Sequence, residues 1–144
     1  MFSKACEYGI KATIYIAHQS LESNRVSLKG IAEEINSPEA FTAKILQQLV
    51  KNNIIDSVKG AMGGFQIDKD QISKIKLIQI VYAIDGNKVY TGCGLGLHTC
   101  NDKKPCPVHD NFISIRNDLK KMLETTSLLT MTKGLDVGLT YLKR

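Results

Sequence analysis

The stretch Val26-SLKGIAEEINSPEAFTAKILQQLVKNNIIDSVKGAMGGFQI-Asp68 decides the fold. Leu28, Ile31, Ala32 and Ile35 recur at helical spacing, and Ser27 stands where a helix N-cap belongs. Asn36-Ser37-Pro38 then breaks the pattern; Ser37 can cap the next helix, and Pro38 suits its first turn. That helix, over residues 38–53, turns Phe41, Ile45, Leu46, Leu49 and Val50 inward and presents Glu39, Ala40, Thr42, Ala43, Lys44 and Gln47 outward. Ile54, Ile55 and Val58 on one side, and Phe65 and Ile67 on the other, flank the tip KGAMGG, which predicts a β-hairpin. Helix, turn, helix and hairpin in this order make a winged helix. Its second helix is shaped to enter a major groove, and its tip to approach phosphates or the minor groove. The expected partner is double-stranded DNA. The candidate contacts are Ser27, Lys29, Ser37, Glu39, Ala40, Thr42 and Lys44 on the two helices, and Lys59, Gly63 and Gly64 on the wing.

Upstream, residues 3–22 read as a helix capped by Ser3, with one stripe of Tyr8, Ala12, Tyr15 and Ile16 and a second of Ile10, Ile14, Ala17 and Leu21. Two apolar faces predict burial on both sides, one against the core and the other against a partner subunit. Downstream, residues 71–85 predict a further helix with Ile75, Ile78, Val81 and Tyr82 inward. A long helix is expected over about 110–127, where Phe112, Ile115, Leu119, Met122 and Leu129 alternate three and four apart, with Ile113 and Leu123 alongside. Such a seam resembles a coiled coil and calls for a second copy of the chain. The expected class is therefore mainly α: a winged helix–turn–helix with a small β-hairpin wing and a long dimerisation helix. It divides into 1–85, a DNA-binding domain; 86–109, a cysteine-rich loop; and 110–144, the dimerisation helix with a weakly patterned tail.

The chain has 144 residues, 43% hydrophobic and 23% charged, ordinary values for a globular protein. It shows neither an apolar run of membrane-spanning length nor a secretory leader, so no membrane partner and a cytoplasmic location are expected. The net charge of +5 is unevenly spread: residues 1–72 carry eight basic and eight acidic side chains, and residues 73–144 carry eleven and six. Affinity for DNA must then come from individually placed lysines rather than from a bulk positive field. No Walker motif, dinucleotide fingerprint or nucleophile elbow is present, so an enzyme is not expected.

The second informative stretch is Cys93-GLGLHT-Cys100-NDKKP-Cys106-PV-His109, spaced C-x6-C-x5-C-x2-H among glycines and prolines. Where thiols stay reduced, cysteines gathered in one irregular loop favour metal or redox chemistry over disulfides. Soft thiolates suit an iron–sulfur cluster. Zinc is an alternative, because it accepts three cysteines and a histidine readily. A zinc-binding nucleic-acid-binding protein and a metal-free thiol redox sensor are therefore competing readings. His109 otherwise serves to start the long helix. Cys6 reads as a small buried hydrophobe.

Taken whole, the chain resembles the IscR/NsrR family of bacterial winged-helix regulators. The resemblance rests on VSLKGIAEEI, on AKILQQLVKNNIIDSVKGAMGGFQI with its Gly60-Ala-Met-Gly63-Gly64-Phe65 wing, on IQIVYAIDG, and on the three spaced cysteines. It implies a homodimeric transcriptional regulator on palindromic DNA whose affinity is tuned by an iron–sulfur cluster, 2Fe–2S ahead of 4Fe–4S. It also implies Cys93, Cys100 and Cys106 as ligands. The fourth ligand would be His109, or Glu7 donated from the other subunit, as an acidic residue at the matching place is in some members. Three positions depart from the family pattern: the first cysteine gap is six rather than five, Lys59 stands where arginine is usual, and Ala43 stands where some members place a base-reading glutamate.

Overall fold

A computed structural model describes residues 1–144, the whole sequence. In chain order the elements are α1 (Lys4–Leu21), α2 (Leu28–Glu34), α3 (Glu39–Lys51), β1 (Asp56–Val58), β2 (Gly64–Gln66), α4 (Lys69–Ile72), α5 (Leu77–Asp85), α6 (Lys88–Thr91), α7 (His109–Thr125) and α8 (Leu128–Asp136). The architecture is mainly helical, with one small antiparallel hairpin and a long C-terminal helix, as the sequence predicts. No helix is long and apolar enough to cross a membrane.

Helix starts follow the expected hydroxyls. Ser3 accepts the Cys6 amide at 3.0 Å and Ser27 accepts the Gly30 amide at 3.0 Å, each satisfying an N–H left without an intrahelical partner. The start of α3 departs from expectation. Pro38 itself stands at the cap position, and the Ser37 hydroxyl instead accepts the Thr42 hydroxyl at 2.9 Å. The core is built largely of Ile and Leu from α1, α2, α3 and α5, including Ile16, Ile31, Ile35, Leu46, Leu49 and Ile80. Helix α1 runs through its middle, touching α2 and α3 as well as α5 and α8. Much of its second apolar face, expected to meet a partner subunit, is thus covered by its own chain.

The single helix expected over 71–85 is two. Between α4 and α5 the backbone of Lys76 is extended and bridges Ser127; the Leu77 amide donates to Thr126 O at 2.9 Å and the Leu128 amide to Ile75 O at 2.8 Å. These nonlocal bonds outcompete the local helical pattern. Tyr82, expected inside, is 59% exposed. The weakly patterned tail nonetheless forms a helix: Ser127 accepts the Thr130 amide at 3.1 Å and starts α8, whose Leu128 and Thr132 are buried. Leu129 belongs to this helix and not to α7. Along α7 only His109 and Leu123 are buried, while Ile115 and Met122 stay exposed.

Candidate DNA-reading face and cysteine loop

The wing is short. Asp56 pairs with Gln66, Ser57 with Phe65 and Val58 with Gly64. Two glycines are required by the protein's own backbone. Gly64 has φ +137°, and a Cβ there would meet Val26 O at 2.7 Å. A Cβ on Gly63 would run into Val58 O and would lie 2.9 Å from Gly60 O. Their bareness therefore serves the close approach of neighbouring strands, rather than an approach to DNA alone. Val26 adds a third strand residue, its amide donating to Phe65 O at 3.1 Å and its carbonyl accepting the Phe65 amide at 2.8 Å.

Most of the expected contacts lie on the surface. Ser27, Lys29, Glu39, Ala40, Lys44 and Lys59 are exposed, and Ser37 is half-buried. Thr42 is the exception: it is 0% exposed, and its hydroxyl donates to Ser37 Oγ and to Pro38 O, both at 2.9 Å. Thr42 cannot reach a base edge, because it shares the inward stripe with Ile45, Leu46 and Leu49. Phe41, expected in the core, is rotated out to 36% exposure and packs edge-to-face on Tyr8 with ring centroids 5.8 Å apart. Gln48 and Lys51 complete the outer face; Lys51 lies seven residues from Lys44, a spacing that could have been read from the sequence. A hollow of about 420 Å³ between this helix and the wing is lined by Leu28, Ala43, Gln47, Val50, Lys51, Ser57 and Phe65.

The cysteine loop runs from Gly92 to Val108, between α6 and α7. All three of its cysteines are partly exposed and none is in a disulfide. His109, the first residue of α7, is 6% exposed. Its Nδ1 lies 3.4 Å from Cys100 Sγ and its Nε2 lies 3.0 Å from Asp102 Oδ1. A carboxylate on one ring nitrogen fixes the imidazole's orientation and leaves the other nitrogen toward the sulfur. Arg116, two helical turns along the same face, donates from Nη2 to Cys100 Sγ at 3.1 Å and from Nη1 to the carbonyls of Thr91 and Gly92. Its Nε is buried without a partner. Backbone N–H groups of Leu95 and Leu97 draw the Cys93 thiol below the ordinary thiol range, with the Cys106 side chain and the Arg116 charge adding to the effect. The sequence reading missed Arg116 and Asp102; the seven-residue step from His109 was the available signal for Arg116, and Asp102 had none.

Of the four donors, Cys100 and His109 stand in direct contact. No three His, Cys, Asp or Glu side chains form a group able to hold a metal ion. In kind the set fits an iron–sulfur or other soft metal group: three sulfurs, one oriented imidazole, and a guanidinium to offset thiolate charge. Glu7, in the first turn of α1, is ion-paired with Lys4 at 3.0 Å. Cys6 is fully buried, and burial first, then Asp85, pushes its thiol up to about 12.

Two helices joined by a tight turn and followed by a small hairpin define the winged-helix class. The chain belongs to the Rrf2 family of iron-dependent transcriptional regulators, whose model matches residues 2–134. A protein of Aquifex aeolicus is 29% identical over 131 residues, spanning 89% of this chain and 88% of that one. The HTH-type transcriptional regulator IscR of Photorhabdus laumondii is 25% identical over 130 residues, 90% of this chain and 77% of its own. CymR, the global cysteine regulator of B. subtilis, shares the fold with a TM-score of 0.76 at 23% identity, over 92% of this chain and 96% of that one.

Proposed function

We propose that the protein is a cytoplasmic homodimer that binds palindromic double-stranded DNA through α3 and the wing, and that an iron–sulfur cluster at the cysteine loop sets its DNA affinity. Cys93, Cys100 and Cys106 would be ligands, with His109 as the fourth in preference to Glu7 of the partner subunit. The observation that carries this reading is the buried His109, held by Asp102 on one nitrogen and facing Cys100 Sγ with the other. When bound, the cluster supplies a centre that responds to oxidants or small reactive molecules. Arg116 holds Cys100 and the start of the loop, and its bond to Cys100 Sγ would offset charge on that sulfur as a ligand.

The route to DNA runs along packed elements. Asp85, at the end of α5, accepts the Ser3 amide at 2.9 Å and also the Ser3 hydroxyl, tying the end of α5 to the start of α1. Helix α1 in turn packs on α3. Helix α7, leaving the loop, carries the exposed Ile115 and Met122 on which a second subunit would close. Reordering the loop would then alter the spacing of two recognition helices that must match half-sites about 34 Å apart. A coupling of ~1–3 kcal/mol, or about 5–150-fold in affinity, is the usual scale.

Anaerobic reconstitution followed by iron and sulfide analysis, absorbance spectra and DNA titrations tests the reading. Each Cys→Ala variant should lose the visible spectrum, and His109→Ala should change it while Glu7→Ala does not. A colourless zinc-loaded protein, a protein without iron, or equal DNA affinity with and without the cluster would overturn it.

A further inference from the structure

The wing has less to hold it than its role on DNA demands. Its hairpin pairs only three residues on each side, and its tip carries a single internal backbone bond, from the Gly63 amide to Gly60 O at 3.0 Å. A two-stranded hairpin of this size is marginal in water, and a glycine-rich tip loses much backbone freedom when ordered. Arg25, in the segment joining α1 to α2, reaches across to it. Its Nε donates to Gln66 Oε1 at 2.8 Å and its Nη1 to Met62 O at 3.1 Å. One planar guanidinium thus clasps the base of the hairpin and its tip at once, beside the two backbone bonds of Val26 to Phe65. Arg25 is exposed, and a side chain ordered at the surface by two hydrogen bonds to the same hairpin is placed to shape that hairpin.

We propose that Arg25 is the positioning residue of the wing: it fixes the Lys59–Gly63 tip in the conformation that meets DNA, so that the phosphate contact of Lys59 depends on it. The inference rests on the placement of DNA at α3 and the wing given above. A charge-only role and a clasp differ in what rescues them. Lysine keeps the charge but has no planar fork with which to hold Gln66 and Met62 together.

The test compares Arg25→Ala, Arg25→Lys and Gln66→Met in the full-length protein, with Lys59→Ala combined with each. In free protein, amide exchange at Gly63 should speed up several-fold in Arg25→Ala while Phe65, bonded to Val26, stays protected and reports an intact fold. Arg25→Ala should weaken DNA binding about five- to tenfold, and Lys59→Ala should cost less in that background than alone, as coupled neighbours do. Arg25→Lys should not restore binding, and Gln66→Met, which alters no charge, should reproduce part of the loss. Full rescue by Arg25→Lys, strict additivity with Lys59→Ala, or unchanged Gly63 exchange in Arg25→Ala would each overturn the proposal. If Lys59→Ala alone binds DNA as the wild type does, the wing's placement on DNA fails instead, and the Gly63 exchange still decides whether Arg25 holds the tip.

Discussion

The winged half and the cysteine loop of this chain are ordered by different forces. Ile31, Ile35, Ile45, Leu46 and Leu49 are buried to within a few per cent, and capped helices close around them. From Cys93 to Val108 no side chain is fully buried, Leu95 and Leu97 are more than half exposed, and the backbone bonds are local turns such as Gly96 to Cys93 O and Lys104 to Asn101 O. What orders the loop is polar and converges on Arg116 and His109. A region held by burial keeps its shape whatever is bound elsewhere. A region held by a few exchangeable polar contacts is the one a bound group can remodel, and this chain places three of its four cysteines there.

The sharpest way to break that contrast is to compare stability. Leu46→Ala should lower unfolding free energy by about 2–5 kcal/mol, the usual cost of emptying a core leucine site. Cys100→Ala, measured without metal, should stay within about 0.5–1 kcal/mol of wild type, as substitutions outside the core do. Chemical denaturation with equal m-values reads both, and comparable losses would show that the loop is part of the cooperative core.

Next in size is the α7 surface. Ile115→Asp with Met122→Asp should raise the dimer dissociation constant about thirtyfold or more, as removing central apolar anchors does. Both side chains are exposed in the single chain, at 60% and 42%, so the fold should survive, as judged by circular dichroism. Sedimentation showing an unchanged dimer, or wild-type monomer at micromolar concentration, would place the partner face elsewhere.

The smallest effect sharpens the contrast within one residue type. Cys93, drawn below the ordinary thiol range, should remain alkylatable to lower pH than a free cysteine, whereas Cys6, near 12 and buried, should resist alkylation until the protein unfolds. Because the folded-state value of Cys93 is depressed, its ionisation favours the native state at alkaline pH, and that contribution disappears as pH falls through its own midpoint. Arg116→Ala should move the Cys93 alkylation midpoint upward modestly, since the Leu95 and Leu97 amides remain. Residue-resolved mass spectrometry of iodoacetamide labelling measures both, and an unmoved midpoint would remove Arg116 from the thiol's surroundings.

Much of the fold was legible because its signals are local. The spacing of Leu28, Ile31, Ala32 and Ile35 and the cap at Ser27 suffice for α2, and the glycines between Val58 and Phe65 for the wing. The misreadings have definite causes. Phe41 is four residues from Ile45 and so shares the helical spacing of the apolar face, but Thr42, Ile45, Leu46 and Leu49 follow the i, i+3, i+4, i+7 rule better; a threonine that bonds its own turn is a competent core residue. The break after Ile72 depends on strand pairing with Ser127, more than fifty residues away, and no local pattern encodes it. At the site, the cysteines and His109 announced themselves by residue type. Arg25, Arg116 and Asp102 did not, because each matters through a contact that only the folded chain brings about.

The bridge between the Ile75–Leu77 and Thr126–Leu128 segments also makes a cassette of what lies between them. Its two backbone bonds pin both ends of a segment comprising α5, α6, the cysteine loop and α7 at one place on the core. With its ends fixed together, the segment can lengthen or shorten in the middle at little entropic cost, since closing a longer loop adds only about 0.6 kcal/mol per doubling. The six residues between Cys93 and Cys100 lie in the middle of that segment, where length is least constrained. Sensor loops of different length or ligand set could be exchanged between α6 and α7 while α5 and Leu123 keep their places in the core.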